Sequence, residues 1–438
     1  MKTDLIYGID ERPPFREAMF AAIQHLLAIF VAIITPPLII SGALQLDVAT
    51  TGFLVSMSLF ASGISTFIQC KRFGPVGAGL LCIQGTSFSF IGPIITAGLA
   101  GGLPLVFGVC IAAAPVEMVV SRVFKYLQRV ITPLVSGIVV LLIGLSLIKV
   151  GVIACGGGNA AMTDGSFGSL RNVGVAACVF VSIIIFNRSG NRYLRMSSIV
   201  LGLCVGYILA FALGMVHLEA LSAQEISFFN VPMPFKYGLD FNISSFLALA
   251  LIYMITAIEA TGDITANSMI SGKAIEGKEY LGRVSGGVMA DGVNSLVAGI
   301  FNSFPNSIFA QNNGIIQLTG VASRHVGYYI AGMLLLLGLF PIVGIFFSLM
   351  PESVLGGATL LMFGTVGAAG VRIILAQPIN RKATLVLAVS LSLGLGVELM
   401  PDILSKAPEA IRNIFSSGIT TGGLAAILSN LFIHIKED

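Results

Sequence analysis

The chain has 438 residues, 56% of them hydrophobic and 10% charged, where soluble domains carry about 25% charged residues. With a mean hydropathy of +0.95 it is too apolar to fold in water as one domain or as three. Lys and Arg number 24 against 21 Asp and Glu, and the net charge of +3 excludes a nucleic-acid binder held by a basic face.

Gly supplies 51 residues and Trp none, which suits helices packed closely in a bilayer, where small residues let backbones approach. The composition is that of a polytopic membrane protein. Six scattered cysteines form no CxxC pair and have no His at metal spacing. They read as small hydrophobes, with neither a zinc site nor a disulfide framework expected. The first apolar run is too long for a signal-peptide core and reads as a span that is retained.

A hydrocarbon core of about 30 Å needs roughly 20 apolar helical residues. Twelve runs meet that length, near 18–40, 52–69, 99–121, 132–150, 172–187, 197–216, 243–264, 284–301, 327–349, 356–373, 383–400 and 410–433. Two more, 76–97 and 302–322, are apolar but broken by Gly, Pro, Ser, Asn and Gln. Basic residues decide whether those two cross, because cytoplasmic loops carry an excess of them. If both cross and the N-terminus is inside, 19 of the 24 Lys and Arg fall inside, Lys2, Arg129, Arg192 and Lys436 among them. Leaving one out puts basic clusters on both sides. The expectation is fourteen crossings with both termini cytoplasmic.

Fourteen is twice seven, and an odd unit duplicated gives an inverted repeat, as in many secondary transporters. The broken segments would then be third and tenth, at corresponding positions. The first reads Gln84-Gly85-Thr86-Ser87-Phe88-Ser89-Phe90-Ile91-Gly92-Pro93. The second runs from Phe301 through Pro305 to Gly314. Gly, Pro and Asn disfavour a continuous helix, so short extended pieces leading into half-helices are expected, or else plain kinks. Irregular backbone survives at bilayer depth only inside protein or along a cavity. Such a cavity would hold free N–H groups and positive helix ends.

Ionisable residues inside spans are costly and mark function by default. Glu259 and Asp263 are four apart and share a helix face in the eighth span. Asp291 lies mid-run in the ninth and His25 in the first. Each has a plainer reading: Asp263 facing water, Asp291 as a structural partner near Ser87, His25 as a packing residue. Glu259 is the hardest to explain that way. Glu117, followed by Arg122, reads as half of an interfacial ion pair. No Walker, HExxH or G-x-S-x-G motif is present, so the chain is not expected to be an enzyme.

Gln311-Asn312-Asn313-Gly314-Ile315-Ile316-Gln317-Leu318-Thr319-Gly320 resembles the signature of the nucleobase–ascorbate transporter family. The resemblance extends to Gln24-His25, Gln84 through Phe88, Glu259 through Asp263 and Gly356 through Thr359, and is strongest to bacterial xanthine permeases. It implies fourteen segments as seven plus seven inverted. The core would be 1–131 and 243–350, and the gate 132–242 and 351–438. It also implies a homodimer in the cytoplasmic membrane that carries a purine with protons by an elevator-like shift, without a cofactor.

By the same resemblance, Glu259 is the substrate-binding carboxylate and Gln311 its partner. Phe88 packs on the base, and the main chain at Ser87 and Ala310 reaches it. His25, Asp263 and Asp291 match polar positions important for activity. N–H groups near Asn312 and Gly314 would meet a carbonyl of the base. Uracil-type relatives have His at the position of Asp263 and Glu at that of Gln311, so their coupling scheme does not transfer directly. Urate, guanine or uracil as substrate, and an uncoupled channel or facilitator, stay open at this point.

Overall fold

The computed structural model describes residues 5–127, 132–191, 194, 195, 197–216, 229, 231–375, 378–408, 411, 412, 415 and 417–433. Lys2, Arg129, Arg192, Lys436, the expected domain boundary at 131 and the start of the expected span 410–433 lie outside the described residues.

The described chain is mostly helical. The first half runs α1 (Phe15–Ala43), α2 (Val48–Lys71), strand β1 (Gln84–Thr86), a 3₁₀ turn at Phe88–Phe90 and α3 (Ile91–Leu127). It continues through α4 (Pro133–Cys155), α5 (Gly158–Asp164), α6 (Leu170–Arg188) and α7 (Ser198–Ala212). The second half runs α8 (Ile243–Ile270), α9 (Gly277–Ile300), strand β2 (Asn306–Ile308), α10 (Gln311–Thr319), α11 (Arg324–Leu339) and α12 (Pro341–Ser348). It ends with α13 (Glu352–Leu375), α14 (Arg381–Leu399) and α15 (Gly418–Phe432).

Among the described residues, eight helices are long and apolar enough to cross a membrane: α1, α2, α3, α4, α6, α8, α13 and α14. α7, α11 and α15 are shorter apolar helices. α9 has 24 residues but buries Arg283, Asp291, Asn294 and Ser295, and these polar groups keep its sequence below that apolarity. The expected spans 76–97 and 99–121 are not cleanly separate. α3 runs through both and bends at Gly101–Gly102, where Gly102 has φ +68° and ψ −168°. That backbone region is essentially closed to residues with a Cβ, so the pair of glycines sets the kink.

Packing pairs off between the halves. α2 lies on α11 as α9 lies on α3, and α1 meets α11 as α8 meets α3. The hairpin α6–α7 corresponds to α14–α15. The contacts of α4 with α14 and α15 correspond to those of α13 with α6 and α7. α4 packs directly against α13, and α2 against α9.

The main apolar core fills the space around α1, α2, α3 and α8, with Ile33, Leu54, Phe90, Phe107, Tyr253 and Phe304 almost free of solvent. Each such large side chain, fully buried, contributes about 1.5–3 kcal/mol. In a membrane protein part of that comes from packing density rather than from escape from water.

Candidate functional site

Both broken segments form short strands, and the strands meet. β1 and β2 pair antiparallel with Gln84 opposite Ile308, Gly85 opposite Ser307 and Thr86 opposite Asn306. The Ser87 N–H donates to the Pro305 carbonyl at 2.9 Å and that of Phe309 to Ile83 at 3.0 Å, extending the crossing. The crossing thereby pairs these backbone groups with one another, as buried irregular backbone requires. Gly85 suits this position, since a Cβ would overlap the Phe309 ring and lie 2.7 Å from Ile33. Beyond the crossing, each strand leads into a helix start: Phe88–Phe90 and α3 on one side, Gln311 and α10 on the other.

A cavity of about 410 Å³ lies against this crossing. One wall is formed by Phe88, by Glu259, Asp263, Ala266 and Ile270 of α8, and by Ser307 to Gln311, Asn313, Gly314 and Gln317 of the second segment. The facing wall comes from Val140 and Ile143 of α4 and from Thr365, Val366, Ala369, Arg372 and Ile373 of α13. The α13 residues fall on one helical stripe, one turn and two turns apart. Glu259 Oε2 accepts from Ser89 Oγ at 3.2 Å, a bond made possible by the 3₁₀ turn that brings Ser89 back over α8. Phe88 is 8% exposed and meets the Phe363 ring of α13 edge-on, with centroids 5.4 Å apart.

The structure therefore brings Glu259, Asp263, Phe88, Ala310, Gln311 and Gly314 to one cavity. Ser87, Asn312, Asp291 and His25 do not line it. Ser87 is buried in the crossing, with its N–H engaged as described. Of the N–H groups expected near Asn312 and Gly314, the one on Asn312 itself is engaged within the protein. That N–H donates to the Phe309 carbonyl at 3.1 Å, because α10 opens with a tight turn, and the side-chain amide donates to the Leu81 carbonyl. Asn312 is a strut. His25 is fully buried beside it.

Two more asparagines complete the brace. Asn267 Nδ2 donates to Leu81 O and to Asn313 Oδ1, both at 2.9 Å, while Asn313 Nδ2 reaches Asp263 O at 3.4 Å. They tie α10 to α8 and fix the orientation of Gln311 relative to Glu259. Sequence reasoning missed Asn267, Gln317, Arg372 and the α4–α13 wall. Gln317 stands inside the signature and was within reach; the α13 stripe becomes visible only once α4 and α13 are known to pack.

Asp291 sits on the far side of the crossing. Its Oδ1 accepts from Gln84 Nε2 and, at 3.2 Å, from Gln69 Nε2. Glu117 departs from the sequence expectation. It makes no pair with Arg122; it is fully buried, and Thr256 Oγ1 of α8 donates to its Oε1 at 3.4 Å. The cause is the face it occupies, since α3 turns that side toward α8 and α9 and not toward an aqueous boundary.

Residues 16–433 match the model of the Xan_ur_permease family, described as a permease family. The chain belongs to this family, the nucleobase–ascorbate transporters. Among its relatives is the xanthine permease XanP of Escherichia coli (strain K12), 51% identical over 438 residues, with 98% of this chain and 94% of that protein covered. The uric acid permease PucJ of Bacillus subtilis (strain 168) is 34% identical over 420 residues, covering 95% and 92%. Among solved structures, the transmembrane domain of the cyanobacterial bicarbonate transporter BicA superposes with a TM-score of 0.55 at 13% identity, covering 97% of this chain and 100% of that one. That likeness shows a shared fold. The permease family places the chain among multi-pass membrane transporters and not among enzymes.

Proposed function

We propose that the protein is a proton-coupled symporter for xanthine, or a closely related purine, in the cytoplasmic membrane. The observation that carries this is the placing of Glu259, Gln311 and Phe88 on one cavity at the strand crossing. An oxopurine presents adjacent N–H donors and two carbonyl acceptors on a flat ring. A carboxylate at Glu259 accepts two such N–H groups, and bonds to a charged acceptor are about twice as strong as neutral ones. The Gln311 amide both donates and accepts, matching an edge that alternates the two. Phe88 offers an apolar face. A cavity of 410 Å³ lies within the range of about 300–1,000 Å³ usual for small ligands. Bases without the matching groups are rejected because the cavity's own polar atoms would be left unpaired.

The paired contacts of the two halves support a fourteen-segment, seven-plus-seven inverted repeat. In this reading residues 1–131 and 243–350 form a core that carries the cavity. Residues 132–242 and 351–438 form a gate, with α4 and α13 at the boundary. The core slides against the gate as an elevator, the chain works as a homodimer, and both termini lie in the cytoplasm. Urate is the principal alternative cargo, favoured by the likeness to a uric acid permease.

The test is uptake of labelled xanthine into cells lacking purine permeases, with and without a protonophore. Accumulation above the outside concentration that collapses on uncoupling is the expected result. Uptake that only equilibrates would replace the symporter by a facilitator. No uptake of xanthine alongside uptake of urate would replace the cargo and keep the mechanism.

A further inference from the structure

α10 has nine residues, Gln311–Thr319, and a helix that short has little stability of its own, because nucleation is costly and few residues repay it. Its position depends on what holds its two ends. The asparagine brace described above holds the first end, beside Gln311. The last end is held by the chain that precedes α1.

α10 stops at Gly320, which takes φ +68° and whose N–H donates to the Ile316 carbonyl at 2.9 Å. The Gly320 carbonyl accepts the N–H groups of Ile6 at 2.8 Å and Tyr7 at 3.1 Å. From there the two segments run parallel, with Tyr7 beside Val321. The Ala322 N–H donates to the Tyr7 carbonyl at 2.9 Å, and that of Arg324 to the Ile9 carbonyl at 3.0 Å. Side chains add to the backbone bonds. Ser323 Oγ donates to the Glu11 carbonyl, Arg324 pairs with Asp10 at 2.8 Å, and the Tyr7 hydroxyl donates to Glu17 of α1 at 2.6 Å.

Ile9 anchors the segment. It is 6% exposed and shares one apolar cluster with Leu80, Cys82, Val284 and Ile308 of β2. Asp10, by contrast, is 68% exposed, and ion pairs of that kind contribute little. The docking therefore rests on the backbone bonds and on Ile9.

We propose that residues 5–12 form a strap that positions α10 for transport, holding Gln311 in place relative to Glu259, and that the strap stays docked through the whole cycle. None of these residues lines the cavity, so the strap acts through α10, a rod about 13 Å long pinned at both ends. Freeing one end lets Gln311 leave its place opposite the ligand. That the strap stays docked follows from where its partners lie. α1, α10 and α11 all belong to the core in the arrangement above, so every contact named here moves with the core and none crosses to the gate. The role in transport rests on the reading of Gln311 as a purine-binding group.

Two variants at one position test the positioning. Y7P removes the N–H that Gly320 accepts, since proline has none; Y7F keeps that N–H and loses only the hydroxyl. Y7P is expected to raise the KM for xanthine, by about fivefold if α10 is in place only a fifth of the time. The maximal rate per transporter in the membrane should hold, and Y7F should keep the wild-type KM. A merely structural loss would lower the amount of transporter and leave KM alone. An unchanged KM in Y7P overturns the positioning role.

The pair Y7C/V321C tests the docking itself, and carries the test if Y7P does not reach the membrane. Its disulfide is expected to form in vesicles, read as loss of maleimide labelling at both thiols. The cross-linked protein should take up xanthine with the KM and rate of the reduced form. Failure of the disulfide to form overturns the docking. Uptake that falls on oxidation and returns on reduction, with the single-cysteine variants unaffected, overturns the claim that the strap stays docked. A wild type that moves no purine overturns the transport reading instead, and the disulfide then still decides whether the strap is docked.

Discussion

Gly137 of α4 and Gly370 of α13 touch backbone to backbone: a Cβ on Gly137 would lie 3.1 Å from the Gly370 carbonyl oxygen, and one on Gly370 2.9 Å from that of Gly137. The contact repeats along the helix pair. Gly144, seven residues on, would place a Cβ 2.6 Å from Gly367 Cα, and Gly151, seven further, 3.1 Å from Leu360 Cα. Seven residues are close to two helical turns, so the three glycines form one flat seam, and α13 runs antiparallel along it. This seam sets how closely Val140 and Ile143 stand beside Thr365 and Arg372 in the facing wall of the cavity.

Gly137→Val should therefore act twice. Overpacking a close helix contact costs about 1–3 kcal/mol, read as a lowered melting temperature in detergent. The displaced wall should also weaken xanthine uptake although no ligand-facing group has changed. Gly174, with nothing within 4 Å of its Cβ position, is the control: Gly174→Ala should leave both readouts unchanged.

Glu259→Gln should remove high-affinity uptake while the protein remains in the membrane. The amide keeps the shape and the size but loses the charge, and a hydrogen bond to a charged group contributes about 1.5–3 kcal/mol. A rise in the apparent KM of at least about tenfold is expected. Normal uptake by that variant would remove Glu259 from the binding role. Gln311→Glu should change the order in which unlabelled purines compete, since it loses the donor that the amide supplies.

How much of this was legible beforehand follows from the range of each signal. The signature from Gln311 to Gly320 and the carboxylate at Glu259 are local, and the structure places Glu259 and Gln311 on one cavity. The broken segments were legible as breaks, because Gly, Pro and Asn are local punctuation. Their pairing as β1 and β2 was not, since Gln84 and Ile308 are brought together only by the fold. Glu117 shows the limit most clearly. In sequence, an acid followed by Arg122 at a helix end resembles an interfacial ion pair. Only the packing of α3 against α8 and α9 reveals that its side chain points inward, to Thr256. Burial on one helix face is a property of neighbours, and neighbours distant in the chain leave no mark beside the residue.

Asn267→Ala should separate bracing from binding. The substitution removes the amide that reaches both the Leu81 carbonyl and Asn313 Oδ1, leaving buried acceptors unpaired at a cost of about 1–3 kcal/mol. Since Asn267 does not line the cavity, the loss should appear as reduced thermal stability together with weaker xanthine uptake, through a loosened α10. The order of purine preference should stay as in wild type. A changed order would mean that Asn267 contacts the base.

Asp47 offers a test in the pH dependence of stability. It stands just before α2, where its carboxylate accepts from the Thr50 N–H at 2.9 Å and the Thr50 hydroxyl at 2.6 Å. These bonds hold the carboxyl below its ordinary value of 3.8, the hydroxyl bond contributing most. A group lowered on folding stabilises the fold above its unfolded value, and that contribution is lost as pH falls through the folded value. Asp47→Ala should therefore cost about 1 kcal/mol at neutral pH, as the loss of a helix cap does. The difference from wild type should shrink as pH drops below the ordinary carboxylate range. Asp47→Asn keeps a capping acceptor but cannot titrate, so its difference from Asp47→Ala should stay level across the same range. Thermal unfolding of the three proteins in detergent at neutral and acid pH reads both effects. A gap between wild type and Asp47→Ala that does not narrow in acid would show that the cap does not depend on the ionised carboxylate.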